Sequence, residues 1–536
     1  MSDLISDKMI IDLNFRNKII DERKPAGEVV DSRKMFTLLT ETIAEKRTLE
    51  MVEIHDLYKA LNHTRTNVGA ARLFHSLVTP SESLEQIHAK QEGFLELEAN
   101  DRLRNAVVDY LGVFSEGEAD LFQFLNVHYQ PLFPYGVVNK AIKAAENMHR
   151  AAAAIPQPET IYLDSLLRLI KSFGESPTSK LVNKPTFRTL NGIVTRKEKK
   201  WNTPAIRFRA GRLSAGSVGP IMPCVLMTAA GYSGLVNQAM AQYVSIFSSV
   251  GFLLGSFYGA IIKPLFDYET ALLPLRHRLL ESTRFASAIE AVGGLDVLSS
   301  LVEFRRNVPH HTVLPEITNG ERHYFEASDL MNPLLAKDDQ NYIGNDVSLN
   351  GQGVTFITGP NSGGKTTYCK TVVQSQILGQ IGAPIIASKA RMNIANHIDY
   401  QAPAFDCLSD PEGRFGTELR TTRDIFFATT PKSLVVLDEI AEGTTSHERM
   451  DQSKAILNGL FAKCNTNLLV THSYELAESF QESGKGQFIQ VEFKDKAPTH
   501  RFIPGVSSDS HASRVAEKLG FSNEDIQKHL EENGYI

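Results

Sequence analysis

Gly359-Pro360-Asn361-Ser362-Gly363-Gly364-Lys365-Thr366 has the spacing G-x-x-x-x-G-K-[ST], and that combination of residue types binds phosphate. Glycines let backbone N–H groups turn inward around the phosphates, and the N-terminus of the following helix adds partial positive charge. Lys365 is expected to neutralise the β and γ oxygens, and Thr366 to ligate Mg²⁺. The octapeptide follows the β-rich run Val354 to Thr358 and precedes the helical stretch Thr367 to Leu378, so strand, loop and helix stand in the required order. Further on, the apolar run Leu434 to Leu437 ends in Asp438-Glu439. A strand delivering two carboxylates to the phosphate end would let Asp438 hold Mg²⁺ through water and Glu439 orient or deprotonate an attacking water. The plain alternative is a solvated acidic pair. A third strand, Asn467 to Val470, ends in Thr471-His472, where the imidazole is placed to sense the γ-phosphate or to act only as a structural hydrogen-bonder.

Three such strand ends need a sheet whose strands run the same way. After Asn307 short β-rich runs alternate with helical stretches, as in a parallel sheet covered by helices. The preceding half reads differently. From about Met35 to Glu98 apolar residues recur at three- and four-residue spacing, as in Leu73, Leu77, Leu84 and Ile87, which predicts amphipathic helix broken at Pro80. The pattern resumes from Arg102 to Phe173 with breaks at Pro131, Pro134, Pro156 and Pro158, and no strand alternation is expected before about residue 310. The fold class expected is therefore multidomain: a mainly α-helical N-terminal half followed by an α/β P-loop NTPase domain. The 536 residues allow about three or four domains. The divisions expected are an N-terminal segment 1–50, a helical part 51–212, an uncharged segment 213–262, a helical connector 263–305 and the ATPase domain 306–536.

With 42% apolar and 22% charged residues, the composition excludes a disordered or collagenous chain. A net charge of -6 denies the molecule a global positive field for nucleic acid, so any DNA contact must use a local patch. The basic cluster Arg196 to Lys200 is one candidate, a solvated loop being the other reading. Cys224, Cys369, Cys407 and Cys464 form no C-x-x-C pair, which supports neither a disulfide framework nor a zinc site. Met1-Ser2-Asp3-Leu4 opens no secretory signal, and a cytoplasmic location is expected.

Between Arg212 and Lys263 there is no charged residue. A membrane span needs roughly 20 apolar residues. Tyr243 to Ile262 meets that length and carries Gly251, Gly255 and Gly259 at four-residue spacing, as in packed membrane helices, while Gly219 to Val236 is a weaker span. Arg196, Lys197, Lys199, Lys200, Arg207, Arg209 and Arg212 precede the run and Lys263 follows it, which suits a hairpin with both ends cytoplasmic. The other reading is a buried helical core, since Ser, Gly, Asn237 and Gln238 dilute the apolarity.

The string Thr358 to Tyr368, with Thr367 after the P-loop, resembles the phosphate loop of MutS DNA mismatch-repair ATPases. Gln380-Ile381-Gly382 resembles that family's segment after the first helix, and Asp438-Glu439-Ile440 with Gly443-Thr444-Thr445 its second motif and loop. Thr471-His472-Ser473-Tyr474-Glu475-Leu476 resembles its histidine switch. Tyr342-Ile343-Gly344-Asn345-Asp346 resembles the adenine-side segment, which implies an aromatic ring, Tyr342, on the base and Asn345 near the loop. In the helical half Thr64-Arg65-Thr66, Gly69, Leu73, Leu77, Pro80, Ile87 and Lys90-Gln91 keep the spacing of the signature that opens the MutS core. Gly505, Ser510 and Val515-Ala516 resemble the closing helical segment that packs on the partner ATPase. Leu408-Ser409-Asp410-Pro411-Glu412 does not fit the Leu-Ser-Gly-Gly-Gln of ABC transporters.

There are departures. About 50 residues precede the core-like signature, where mismatch sensors of the family carry a lesion-reading domain, and little chain follows the ATPase where others append a nuclease. Phe114-Ser115-Glu116 has the letters of the lesion probe but falls after the signature and is expected to be a loop. Gly413-Arg414-Phe415-Gly416-Thr417-Glu418 lacks the family's Ser-Thr pair, and Glu442 stands where the family usually has Arg. The resemblance implies a homodimeric clamp on mismatched or branched DNA, switched by ATP and Mg²⁺, with no small-molecule substrate other than ATP. The alternative is a MutS-like ATPase anchored through 213–262, with both soluble parts cytoplasmic and a scaffold or mechanical role.

Overall fold

The computed structural model describes residues 42–126, 134–189, 192–210, 238–351, 353–360, 363–402, 413–440, 446–494, 497–507 and 520–533. Asn361, Ser362, Leu408 to Glu412, Glu442, Gly443-Thr444-Thr445, Ser510, Val515-Ala516 and the weaker span Gly219 to Val236 lie outside them.

In chain order the helices begin with α1 (Lys46–Met51), α2 (Ile54–Leu61), α3 (Asn67–Val78), α4 (Leu84–Ala99), α5 (Asp101–Asn126), α6 (Tyr135–Ala151), α7 (Ile161–Glu175) and α8 (Pro177–Asn183). Pro80 breaks the α3 to α4 stretch as expected, because it lacks the N–H a continuing helix needs. Strands β1 (Thr186–Thr189), β2 (Gly192–Val194) and β3 (Ile206–Phe208) follow, then α9 (Gln238–Phe257), α10 (Lys263–Asp267), α11 (Leu273–Leu280) and α12 (Thr283–Asn307). Wide helical turns at Tyr258–Ile262 and Tyr268–Leu272 join α9 to α10 and α10 to α11. Each ends just before a helix whose second residue is a proline, Pro264 or Pro274, and the widened turn accommodates the ring and missing donor without ending the helix.

The chain forms two compact units. One contains Asn62–Phe74 and Glu92–Val302, the other Leu39–Leu61, His75–Gln91 and Glu303–Ile536. The first is built on helices whose apolar faces meet around Leu73, Phe94, Phe114, Phe173 and Phe285. The N-terminus of α3 is closed by two buried carboxylates. Asp296 accepts from the backbone N–H groups of Arg65 and Thr66 and from Thr66 Oγ1 (3.0, 2.8 and 2.6 Å), and Glu118 accepts from Asn67 and Val68 (2.8 Å each). Negative charge there answers the unpaired N–H groups and positive end of the helix dipole. Gly69 is required beside them, since a Cβ would stand 2.1 Å from Asp296 Oδ2.

Two expectations for this unit are corrected. Phe114-Ser115-Glu116 is not a loop but the middle of α5, with Phe114 buried. Apolar residues at helical spacing on both sides continue the helix through it. Strands also occur before residue 310: β1 pairs antiparallel with β2 and β3. At three or four residues each they are too short for alternation to register in sequence, and they are stabilised by Arg188, which donates to Asp267 and to the Thr270 hydroxyl (2.6 Å each). The Arg196 to Lys200 cluster lies in the turn between β2 and β3.

In the described part of the uncharged run several large apolar side chains lie at the surface. Phe247, Leu253, Leu254 and Phe257 are 74%, 67%, 65% and 52% exposed. Among the described residues these side chains are left uncovered, which is unusual for large apolar groups.

The second unit holds β4 (Thr312–Val313), β5 (Glu316–Thr318), β6 (Phe325–Leu330), β7 (Asn345–Leu349), β8 (Val354–Thr358), α13 (Lys365–Gln380), β9 (Ile385–Ile386), β10 (Lys389–Asn393), β11 (His397–Gln401) and α14 (Gly413–Ala428). They are followed by β12 (Ser433–Asp438), α15 (Ser446–Lys463), β13 (Thr466–Val470), α16 (Tyr474–Glu482), β14 (Gln487–Lys494), β15 (Ala497–Pro504) and α17 (Asn523–Glu532). Its main sheet has the order β11-β12-β13-β8-β14-β15, parallel except for β15, which returns antiparallel at the edge. Strands β8 and β13 are buried along their whole length, as strands covered on both faces must be. Their shared direction brings the C-terminal ends of β8, β12 and β13 together.

Candidate nucleotide-binding site

The loop after β8 turns on glycines. Gly359 has φ +130° and Gly364, which caps α13, φ +88°, both in the region that L side chains rarely adopt. A Cβ on Gly359 or Gly363 would also come within 2.8 or 2.6 Å of Val491 Cγ2 on β14. Lys365, the first residue of α13, folds back over the loop and donates to the carbonyls of Gly359 and Pro360 (2.7 and 2.9 Å). Burial pushes its ammonium pKa down to about 8 against the opposing pull of Asp438 and Glu439. A cation in that state gains from an anion arriving beside it.

Asp438 ends β12 opposite Val470 of β13, and its carboxylate accepts from Thr366 Oγ1 at 3.1 Å. Burial raises the Asp438 carboxyl above the usual range, opposed by the Thr366 hydrogen bond. Beside it the Tyr400 hydroxyl of β11 is buried without a hydrogen bond of good geometry. Two hard oxygen donors and an orphaned hydroxyl at one point fit a small divalent cation that takes its remaining ligands from water and phosphate, the habit of Mg²⁺. Among the described residues no group of three His, Cys, Asp or Glu makes an all-protein metal cage.

Glu439 has φ +67°, a strained conformation for a non-glycine residue, tied down by its N–H to Val470 O at 3.0 Å. The turn brings Glu439 Oε1 to 3.0 Å from His472 Nε2. His472 follows Thr471, whose N–H donates to Ile357 O of β8 (3.1 Å), so the imidazole is carried on a link between two strand ends. Glu439, Thr471, His472, Arg449 and Ser453 line a small cavity of about 80 Å³.

A larger cavity of about 520 Å³ opens beside the N-terminal turns of α13, lined by Tyr342, Asn345, Gly364, Thr367, Tyr368, His500 and Phe502 among others. Its size suits a nucleoside. Tyr342 is among the residues that face it. Asn345 is at its wall but spends its amide on β15, donating to His500 O (3.0 Å) and accepting from Phe502 N–H (2.9 Å). Sequence reasoning missed His500 and Phe502. His500 has φ +61°, its Nδ1 is 3.6 Å from the Cβ position of Gly364, and the Phe502 ring lies 4.6 Å from that of Tyr368. No sequence motif marks either residue. Lys365, Thr366, Asp438, Glu439 and His472 are thus brought to one place, with Gly359, Pro360, Gly363, Gly364 and Thr367 forming the cradle.

Residues 355–532 match the family model for MutS domain V. Over 246 residues, 43% of the chain, the sequence is 29% identical to the DNA mismatch repair protein msh3 of Aspergillus oryzae, of which that stretch covers 22%. It is 28% identical over 271 residues to the DNA mismatch repair protein MutS of a Synechococcus species, 49% of this chain and 29% of that one. It is 30% identical over 246 residues to the endonuclease MutS2 of Streptococcus pneumoniae, 45% of this chain and 30% of that one. The chain spans less than a third of the length of each of these relatives.

Proposed function

We propose that this chain, a MutS-family protein by its domain V, is an ATPase in which ATP binding and hydrolysis switch a homodimeric clamp on mismatched or branched DNA. The observation that carries the reading is the meeting of three parallel strand ends: Thr366 to Asp438 at 3.1 Å and Glu439 to His472 at 3.0 Å, both facing the end of α13 that begins with Lys365. Adenosine would fill the cavity under Tyr342, His500 and Phe502. The triphosphate would run across the N-terminus of α13, where its oxygens take over the Lys365 ammonium from the Gly359 and Pro360 carbonyls. Thr366 and Asp438 would hold Mg²⁺, which neutralises charge on the phosphate oxygens.

Glu439 accepts a proton from the water that attacks the γ-phosphorus, and His472, at hydrogen-bond distance, holds the carboxylate in place and registers whether the γ-phosphate is present. A γ-phosphate shifts a clamp only by its differential affinity for the open and closed forms, so Lys365, Asp438 and His472 are the levers. DNA as the ligand is supported by the two relatives named as mismatch-repair proteins, and contacts through Lys and Arg would be phosphate-directed and salt-dependent. The test is the ATPase rate of the full chain with homoduplex, mismatched and four-way-junction DNA. Stimulation by one of them, lost in Lys365→Ala, is expected; hydrolysis indifferent to every DNA sinks the clamp.

A second reading is a MutS-type ATPase tethered to a membrane, with both soluble parts cytoplasmic. It is favoured by the exposed apolar side chains between Tyr243 and Ile262 on this helical stretch. Sedimentation of the protein with the membrane fraction, resistant to high salt and released by detergent, is its expected signature.

A further inference from the structure

Of the twenty-two large apolar side chains exposed among the described residues, eleven lie between Tyr243 and Phe266. From Gln238 to Ile262 the helical path is about 37 Å at 1.5 Å per residue, enough to cross a hydrocarbon layer of about 30 Å. Charge returns at the residue after the run. Lys263 donates to Asp267 (2.9 Å), which also accepts from Tyr135 and Arg188 (2.7 and 2.6 Å). The Arg188 guanidinium lies over the Phe266 ring, 4.2 Å from its centroid. The foot of the apolar helix is therefore built into β1.

The sheet of β1, β2 and β3 stands beside that foot. Arg188 ties β1 to Asp267 and Thr270, Gly192 of β2 lies against Pro274, and Glu198 in the β2 to β3 turn pairs with Arg278 at 3.5 Å. The stretch 195–209 carries Arg196, Lys197, Lys199, Lys200, Arg207 and Arg209 against one acid, Glu198, a local charge of +6 − 1 = +5 in a chain of net −6. At the tip is Trp201, the chain's one tryptophan, 96% exposed. A tryptophan left in water beside basic side chains and an apolar helix has the composition of a bilayer interface, where the indole sits at headgroup level and the cations meet phosphate.

We infer that the β2 to β3 flap is a collar for anionic phospholipid headgroups, seated on the bilayer surface where the apolar helix enters. The inference rests on the tethered reading. Duplex DNA offers phosphates too, but it gives no place to an apolar helix of that length immediately beside them, whereas a bilayer accommodates both.

The test uses the full chain, purified in mild detergent and reconstituted into vesicles of phosphatidylcholine alone or with one-third phosphatidylglycerol. Flotation reads the tether, and quenching of Trp201 by aqueous acrylamide reads the collar. Wild type is expected to float with both vesicles, and its Trp201 to be quenched about threefold less or better on the anionic ones, with the protection lost at about 1 M salt. Arg196→Gln with Lys197→Gln, Lys200→Gln and Arg207→Gln should float equally, hydrolyse ATP equally, and show no protection. Leu253→Glu with Leu254→Glu should float with neither vesicle. If wild type floats but Trp201 is quenched alike on both vesicles, the collar is overturned and the tether stands. If wild type floats with neither, both fall. Protection of Trp201 by duplex DNA but not by anionic vesicles would overturn the collar in favour of a nucleic-acid patch.

Discussion

Helix α12 and the helical stretch through α9 to α11 are both long and apolar enough to cross a membrane, yet 83% of the apolar window of α12 is buried and none of the corresponding window of the other. Their charges differ in the opposite sense to intuition. The buried helix carries Glu290, Asp296 and Glu303, while the exposed run has no charge until Lys263. Burial in protein tolerates a carboxylate when partners are built for it: Glu290 pairs with Arg72 at 2.8 Å, and Asp296 receives the N–H groups that open α3. A surface meant for water would use charge freely, and one meant for hydrocarbon would exclude it, because lipid offers neither hydrogen bonds nor counterions. The absence of charge on the uncovered helix is therefore more informative than its apolarity.

The contrast predicts that the two regions separate under mutation. The largest effect lies outside both helices: Glu439→Gln should lower ATP turnover about 10²–10⁴-fold while nucleotide still binds. Leu254→Ser, on the uncovered helix, should leave turnover unchanged in detergent. An equal loss from both would mean that the apolar helix is part of the hydrolytic machinery. Next in size, Leu295→Ala removes a fully buried side chain of α12 and should cost about 2–5 kcal/mol in denaturant unfolding.

Asp296 gives a smaller, pH-dependent effect. Burial pushes its carboxyl up to about 6, with the Thr66 and Arg65 hydrogen bonds opposing. Between about pH 4 and 6 this group keeps in the folded chain a proton that it has released in the unfolded chain, so its contribution to stability is greatest below that window and falls as pH rises through it, by roughly 2–3 kcal/mol. Asp296→Asn should flatten this part of the unfolding profile, and an unchanged slope would refute the assignment. Smallest of all, Leu254→Ala should shift unfolding by less than about 0.5 kcal/mol, since it uncovers nothing. A loss comparable to that of Leu295→Ala would mean the helix is covered in solution.

Much of the candidate site was legible because each of its parts is contiguous. Gly359 to Thr366 forms one loop, Asp438-Glu439 and Thr471-His472 end two apolar runs, and strand and helix periodicities frame all three. His500 and Phe502 were not legible. They reach the cavity from an edge strand whose position depends on antiparallel pairing with β14 and on Asn345, about 155 residues away in sequence. The small sheet of β1 to β3 escaped for another reason, since three-residue strands carry too few positions for a period of two to show.

Local sequence determined the phosphate loop, because a glycine's access to positive φ and the adjacency of Lys365 and Thr366 are properties of neighbouring residues. It also determined that 213–262 would carry no charge. Which apolar segment is covered, which carboxylate has partners, and which aromatics line the larger cavity were decided only in the tertiary structure. Burial and hydrogen-bond satisfaction are relations between segments distant along the chain, and two helices of similar hydropathy acquire opposite environments through what packs, or fails to pack, against them.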